Sequence, residues 1–127
     1  MNKQIIVTAA FFGLAAVVLG AFGAHALKAS LSANQLDNWR TGVNYQFYHT
    51  LALLFLSTVS RLRGRLIKIA YFAFVLGILL FSGSLYLLSL NHLLGINTSF
   101  LGPLTPLGGF CLIIGWISLL LAALKYK

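Results

Sequence analysis

The sequence has almost no acidic side chains: among 127 residues Asp37 is the only one, against nine Lys and Arg. Charged residues make up 8% of the chain and apolar residues 60%, whereas a soluble domain carries about 25% charged residues. This composition excludes an ordinary soluble domain. The long apolar runs contain no Asp or Glu, the groups that a hydrolytic triad or a proton relay uses. We therefore predict no catalytic residues and do not expect an enzyme.

Cysteine is nearly absent as well. The single Cys111 excludes an intramolecular disulfide and every paired-cysteine metal motif. The three histidines are not spaced as His-x-x-x-His or Glu-x-x-His pairs. The sequence therefore predicts no metal-ligating residues, no cofactor-binding residues and no cofactor.

Long apolar runs fill the space between the charges. A membrane core about 30 Å thick needs roughly 20 apolar residues in a helix, because lipid offers backbone groups no hydrogen-bond partner. Four segments qualify, over about residues 5–27, 43–60, 66–90 and 106–124. The sequence thus predicts an all-α membrane protein, a bundle of four transmembrane helices forming a single membrane domain over residues 1–127. The first run is too long for a signal-peptide core, so we predict a retained helix.

The basic residues are distributed unequally over the ends of these spans. One side collects Lys3, Arg61, Arg63, Arg65, Lys68, Lys125 and Lys127, and the other only Lys28 and Arg40. Because Lys and Arg resist translocation, both termini are predicted to face the cytoplasm. The predicted cytoplasmic anchors beside anionic headgroups are Arg61, Arg63, Arg65 and Lys68. Charges placed at helix ends argue against nucleic acid as a partner.

The two external connections carry helix-start signals. Ser32 and Gln35 have the spacing of a capping box, which predicts a short amphipathic helix at the outer interface that either turns or runs on into the second span. On that helix Trp39 is expected in the headgroup belt, with its N–H in water and its ring in lipid. In the second connection Thr105 and Pro106 predict the N-cap and first residue of the last helix.

Small residues recur at helical spacing on the first and fourth spans. The predicted packing positions are Gly13, Gly20, Gly23, Ala24, Gly108 and Gly115. Small side chains let helix backbones approach closely in lipid, so the two stripes are expected to be buried against each other or across a homo-oligomer contact. The alternative is that Gly and Ala are simply common in membrane helices.

Polar residues within the spans gather toward the predicted external side. This candidate outer-leaflet polar cluster consists of His25, Tyr45, Gln46, His49, Tyr86 and His92. Imidazole is a common metal ligand and proton carrier, and a polar group inside a membrane helix generally has a partner or a function. The competing interpretation is that these side chains hydrogen-bond across the bundle and fix helix register.

Four blocks of the sequence carry a family resemblance. They are residues 20–25 (GAFGAH), 41–46 (TGVNYQ, followed by Tyr48 and His49), 81–86 (FSGSLY) and 102–109 (GPLTPLGG, continuing to Trp116). In this order they resemble the small membrane proteins of the domain-of-unknown-function 423 family (DUF423, UPF0382). The resemblance implies an integral protein of the bacterial cytoplasmic (inner) membrane with four helices and no established biochemical activity. It supplies no catalytic residues.

Three functional hypotheses follow. The leading one is a small integral membrane protein acting as a structural or accessory scaffold, whose partners are membrane lipids and either further copies in a homo-oligomer or partner membrane helices. The alternative is an outer-leaflet binding module for a small hydrophobic ligand, a metal or haem, with the small-molecule ligand unknown. The third is an oligomeric small transporter or channel.

Overall fold

The computed structural model describes residues 2–59, 61–62 and 64–126. Its elements are α1 (Asn2–Ala24), α2 (Ala33–Thr58), α3 (Arg65–Gly77), a π-helical segment (Ile78–Ser82), α4 (Gly83–Ser89), α5 (Asn91–Leu94), a 3-10 turn (Ser99–Leu101) and α6 (Leu104–Leu124). Within these described ranges there is no strand. The predicted all-α fold class is confirmed.

The helices pack as two pairs that meet through α2. Helix α1 lies along α2, and α6 lies along α3 and the π-helical segment, while α2 also contacts the π-helical segment and α4. One core joins α1, α2, α3 and α6: Phe12 of α1, Leu53 of α2, Phe74 of α3 and Leu112 of α6 are buried together. The bundle therefore has a shared interior and is not two separate hairpins.

Helix α1 shows which face of a helix the bundle buries. Its buried residues are Ile5, Ala9, Phe12, Ala16 and Gly23, which share one side at helical spacing. On the opposite side Phe11 is 66% exposed and Leu14 67% exposed. Apolar side chains facing outward from a helix of 23 residues suit a lipid environment.

Helix α2 begins where its capping box predicts. The Gln35 backbone N–H donates to the Ser32 hydroxyl at 3.2 Å, and the Ser32 N–H donates to the Gln35 side chain at 3.0 Å. The capping box is confirmed. The helix then continues unbroken from Ala33 to Thr58, so the predicted short interfacial helix forms its first turns and is not a separate element.

Three stretches of the described chain are long and apolar enough to cross a membrane: Asn2–Ala24, Arg65–Ser89 and Ser99–Leu124. Helix α2 has 26 residues and is long enough, but its composition is too polar to qualify. Polar side chains continue well past its first turns, as Gln46 and His49 show. The sequence analysis predicts one more span, the second of its four, over residues 43–60. Most of these residues lie in α2.

The predicted third span, residues 66–90, is interrupted. The chain follows one continuous helical path from Arg65 to Ser89, but residues Ile78–Ser82 form a π-helical turn within it. A π turn adds a residue to the helical repeat, so it rotates the face that α4 presents relative to α3. The long apolar run predicts a span over residues 66–90, but it does not indicate the π turn.

The predicted start of the last helix at Thr105 and Pro106 is wrong. Helix α6 begins at Leu104, with Pro103 in the N-cap position. The Thr105 hydroxyl is paired instead with the hydroxyl of Ser84 on α4 at 2.6 Å. Pro106 is the third residue of the helix and lies in the first turn, where a helical N–H has no intrahelical acceptor, so proline is tolerated two positions later in the helix than predicted.

Candidate functional site

The site is centred on Gln46, which lies near the middle of α2 and is 3% exposed. Its side-chain Nε2 donates to the carbonyl oxygen of Phe12 on α1 at 2.8 Å. Its Oε1 accepts a hydrogen bond from the Tyr86 hydroxyl of α4 at 2.6 Å. Because a carbonyl can only accept, these partners fix which end of the amide is nitrogen. One buried side chain therefore joins three helices.

Trp39 lies two turns before Gln46 on the same helix. Its indole Nε1 donates to the Leu19 carbonyl at 2.8 Å, and its ring packs on Tyr86 with the ring centroids 4.8 Å apart. The side chain is 2% exposed, so the predicted N–H in water and ring in lipid are wrong. The physical reason is Gly23, because a Cβ at that position would collide with the indole.

His49 uses both ring nitrogens inside the bundle. Its Nδ1 lies 2.7 Å from the Tyr45 carbonyl oxygen, and its Nε2 lies 3.0 Å from Nε1 of Trp116 on α6. The carbonyl can only accept and the indole can only donate, so Nδ1 carries the proton and Nε2 accepts. His49 is thus a neutral imidazole with no unused ring nitrogen. A metal ligand at this position would first have to displace Trp116.

The π-helical segment Ile78–Ser82 fits between α2 and α6. The Ser82 hydroxyl donates to the Gly42 carbonyl of α2 at 2.6 Å. On the other side, a Cβ on Gly108 of α6 would lie 2.8 Å from the backbone carbon of Leu80. Sequence reasoning missed this segment, whose neighbours Gly42 and Gly108 lie on helices distant in the chain. Such π turns are frequent at functional sites.

An aromatic groove opens on the outside of the bundle beside His49. It lies between α2, the π-helical segment and α6, and its volume is about 760 Å³. Its walls include Tyr45, Tyr48, Phe81, Phe110 and Trp116. The rings of Tyr45 and Phe81 pack with their centroids 4.6 Å apart. The groove therefore presents mainly aromatic surface, with the His49 and Trp116 pair as its polar part.

The predicted polar cluster is only partly brought together. Gln46 of α2 and Tyr86 of α4 face each other and are hydrogen-bonded. Two more members, Tyr45 and His49, line the adjoining groove. His25 and His92 are exposed, in the turn after α1 and in the short α5. No group of three or more His, Cys, Asp and Glu side chains that could hold a metal occurs among the residues the structure describes.

The predicted packing glycines all face a neighbouring helix, but not one another. A Cβ on Gly13 would meet Thr50 at 3.5 Å and one on Gly20 would meet Val43 at 3.4 Å, so the α1 stripe lies against α2. On α6, Gly108 faces the π-helical segment, and Gly115 faces the Phe74 ring of α3. Ala24, the remaining predicted packing position, is exposed.

The predicted anchors lie at one end of the bundle. Arg61 and Arg65 are exposed at the connection between α2 and α3, and Lys68 is exposed one turn into α3. Arg63 lies outside the described residues. The end of α6 brings Lys125 to the same cavity as the two described arginines, so these basic side chains are neighbours in space.

Comparison with known proteins supports the family resemblance. Residues 19–109 match the profile of a family described as protein of unknown function, DUF423. The chain is 43% identical to the UPF0382 membrane protein YwdK of Bacillus subtilis (strain 168), and the match covers 98% of each chain. It is 38% identical to the UPF0382 inner membrane protein YgdD of Escherichia coli (strain K12), over 99% of this chain and 93% of that protein. No solved structure matches the chain. The protein therefore belongs to the DUF423 family of UPF0382 membrane proteins, whose function is unknown.

Proposed function

We propose that this membrane protein is a four-span scaffold of the bacterial cytoplasmic membrane, which associates with further copies of itself or with partner helices. The observation that supports the scaffold is the pairing of its interior polar groups: Gln46, His49 and Tyr86 each hydrogen-bond within the bundle. Side chains engaged in this way hold helices in register. They are not poised to transform a solute.

We infer that α2 also spans the membrane, in addition to the three apolar stretches. The burial of its polar residues supports this. Gln46 and His49 lower its hydropathy, yet both point into the bundle and are at most 5% exposed. The residues that face outward include Leu51, which is 61% exposed, and Phe55, which is 52% exposed. Lipid would contact these apolar side chains, so the polar composition of α2 does not prevent it from crossing the membrane.

The proposed orientation, with both termini cytoplasmic, can be tested by labelling. In a Cys111→Ser background, a membrane-impermeant maleimide should label Lys28→Cys in intact cells. It should label Lys68→Cys only after permeabilisation, because the basic end is retained on the inner side. Labelling of Lys68→Cys from outside an intact cell would refute this orientation.

The proposed association can be tested by photocrosslinking in cells. Leu14 on α1, Phe72 on α3 and Leu120 on α6 all face outward, with 67%, 60% and 58% of their surfaces exposed. A photoreactive residue at each position should give, on at least one face, a discrete protein adduct of twice the monomer mass or of one defined partner. Adducts with lipid alone at all three positions would contradict a scaffold.

The aromatic groove supports a second candidate function, the binding of a small apolar ligand with an aromatic ring. Its volume, about 760 Å³, falls in the range of about 300–1,000 Å³ typical of ligand pockets. Both ring nitrogens of His49 already have hydrogen-bond partners, so neither is free to bind a metal ion or haem iron. This favours an apolar ring as the ligand.

Ligand retention tests this second candidate. Protein purified in mild detergent should release a stoichiometric apolar compound on organic extraction. Phe110→Ala, which opens the groove wall, should lose the compound, whereas Phe72→Ala, an outward residue of α3, should keep it. Extracts without such a compound, or equal loss in both variants, would exclude the binding role.

A further inference from the structure

We propose that the basic end of the bundle contains a specific binding site for the phosphate of an anionic phospholipid headgroup. The site, here called the cationic pocket, is a cavity of about 400 Å³ between the α2–α3 connection and the end of α6. Arg61, Arg65 and Lys125 line it together with Tyr126. These residues come from two segments about sixty positions apart in sequence. The cluster therefore forms only when the chain folds, unlike a polybasic segment, in which the charges are consecutive in sequence.

The charge of this pocket has no acidic side chain to balance it. Asp37 is the only acid in the sequence, and it lies near the start of α2. The bundle end is on the order of 30 Å away along that helix, at about 1.5 Å per residue. Arginine guanidinium groups match phosphate oxygens through paired hydrogen bonds. An anion therefore complements the basic lining of this pocket, and phosphate suits its donors.

The start of α3 reinforces this preference. Gly64 offers no side-chain cap, and the first turn of α3 contains no acidic residue. Helix N-termini favour negative charge, yet Arg65 places a cation there. An anion in the cationic pocket would be attracted both by the arginines and by this uncapped end.

An adjoining cavity indicates that the anion belongs to a lipid. A second space of about 430 Å³ shares Arg61, Leu62 and Tyr126 with the cationic pocket, and its other walls include Val59 and Ala123. A free phosphate would use only the charged part. A phospholipid would place its phosphate among the cations and its glycerol and first acyl carbons against this apolar wall.

Lipid titration tests the site directly. The full-length protein in mild detergent is titrated with phosphatidylglycerol or with phosphatidylcholine, and bound lipid is counted by native mass spectrometry. The expected result is saturable, stoichiometric binding of phosphatidylglycerol at least roughly tenfold tighter than that of phosphatidylcholine. Binding that rises without saturation, or is equal for the two lipids, would overturn the proposal.

Matched variants separate the site from general charge. Arg61→Gln with Arg65→Gln should weaken phosphatidylglycerol binding roughly tenfold or more, while Lys28→Gln with Arg40→Gln, which removes the same charge elsewhere, should leave it unchanged. Ala122→Leu should reduce binding although every cation is retained, because the larger side chain occupies part of the cavity that Ala122 lines. Far-UV circular dichroism identifies variants that fold. Equal losses in the two charge variants, or full binding in a folded Ala122→Leu protein, would refute a defined pocket.

Inorganic phosphate serves as the competing probe. Millimolar phosphate should not displace bound phosphatidylglycerol, because the apolar wall contributes only to lipid binding. Displacement at that concentration would assign the cavity to a soluble phosphate instead and overturn the lipid assignment. The cationic pocket would bind a headgroup whether or not α1 pairs with another helix, so this proposal and the scaffold proposal can fail separately.

Discussion

The polar side chains inside this bundle, such as His49 and Gln46, are held by hydrogen bonds to other helices. Trp116 supplies the donor that His49 needs, and Tyr86 supplies the donor that Gln46 needs. A buried polar atom without a partner costs about 1–3 kcal/mol, which explains why such residues occur in pairs on facing helices. The Thr50 hydroxyl is a contrast, because it is buried with no partner among the described residues.

Replacement of Gln46 by leucine is expected to reduce the free energy of unfolding by about 1–2 kcal/mol, since the Tyr86 hydroxyl and the Phe12 carbonyl each lose a buried partner. Unfolding by SDS in mixed micelles, followed by circular dichroism, measures the change. Asn44→Leu is the control on the same helix, because Asn44 is exposed. If the two variants unfold at the same SDS fraction, the Gln46 hydrogen bonds do not stabilise the bundle.

Glycines decide how whole helices approach each other in this fold. A Cβ on Gly108 of α6 would collide with the backbone of the π-helical segment, whereas a Cβ on its neighbour Gly109 would meet only the Phe81 ring at 3.7 Å, an ordinary contact distance. Two adjacent glycines of one helix therefore have different roles. The first sets the distance between α6 and the interrupted helix, and the second does not.

Alanine substitution should distinguish these two positions. Gly108→Ala is expected to destabilise the protein by about 1–3 kcal/mol, because its methyl group would press on backbone that cannot move aside. Gly109→Ala should be neutral or stabilising by up to about 1 kcal/mol, since alanine favours the helix. SDS unfolding of both variants measures the difference. Similar effects in both would show that the close approach at Gly108 is not required.

The contrast between local and distant causes explains which elements the sequence could predict. The Ser32 and Gln35 capping box was predictable because its partners are three residues apart. The π-helical turn was not, because no local pattern marks it and the residues packed against it, such as Gly108, lie on other helices. Trp39 was misplaced for the same reason: Gly23, sixteen positions away, makes space for its ring. Of the proposed cluster, the sequence could indicate the polar residues but not which of them are paired.

At the scale of the whole molecule, polar groups occur in two places. Hydrogen-bonded side chains of α2 lie in the interior, and basic side chains lie at one end of the bundle. The first permits a polar helix to lie among apolar ones. The second, in the proposed topology, fixes which end stays in the cytoplasm. Only the charge distribution is visible from composition and spacing, which is why orientation can be argued from sequence and packing cannot.

Shifting the charge balance should change the orientation of the whole bundle. Arg61→Gln, Arg65→Gln and Lys68→Gln combined with Ala29→Lys and Ser30→Lys should lower external labelling of Lys28→Cys by roughly half, because basic residues resist translocation. The charge-conserving combination Arg61→Lys with Arg65→Lys should leave labelling as it is in the parent. Unaltered labelling in the first combination would mean that basic residues do not determine this topology.

The hydrogen bonds of Gln46 also have a consequence for biogenesis. During synthesis the ribosome delivers α1 before α2 and α4 last of the three, so the Phe12 carbonyl is present when Gln46 emerges, whereas Tyr86 is not. A segment with a buried amide enters lipid poorly by itself. We therefore expect α1 and α2 to leave the insertion machinery together as a preassembled pair, with the later helices closing around an amide that already has its first partner.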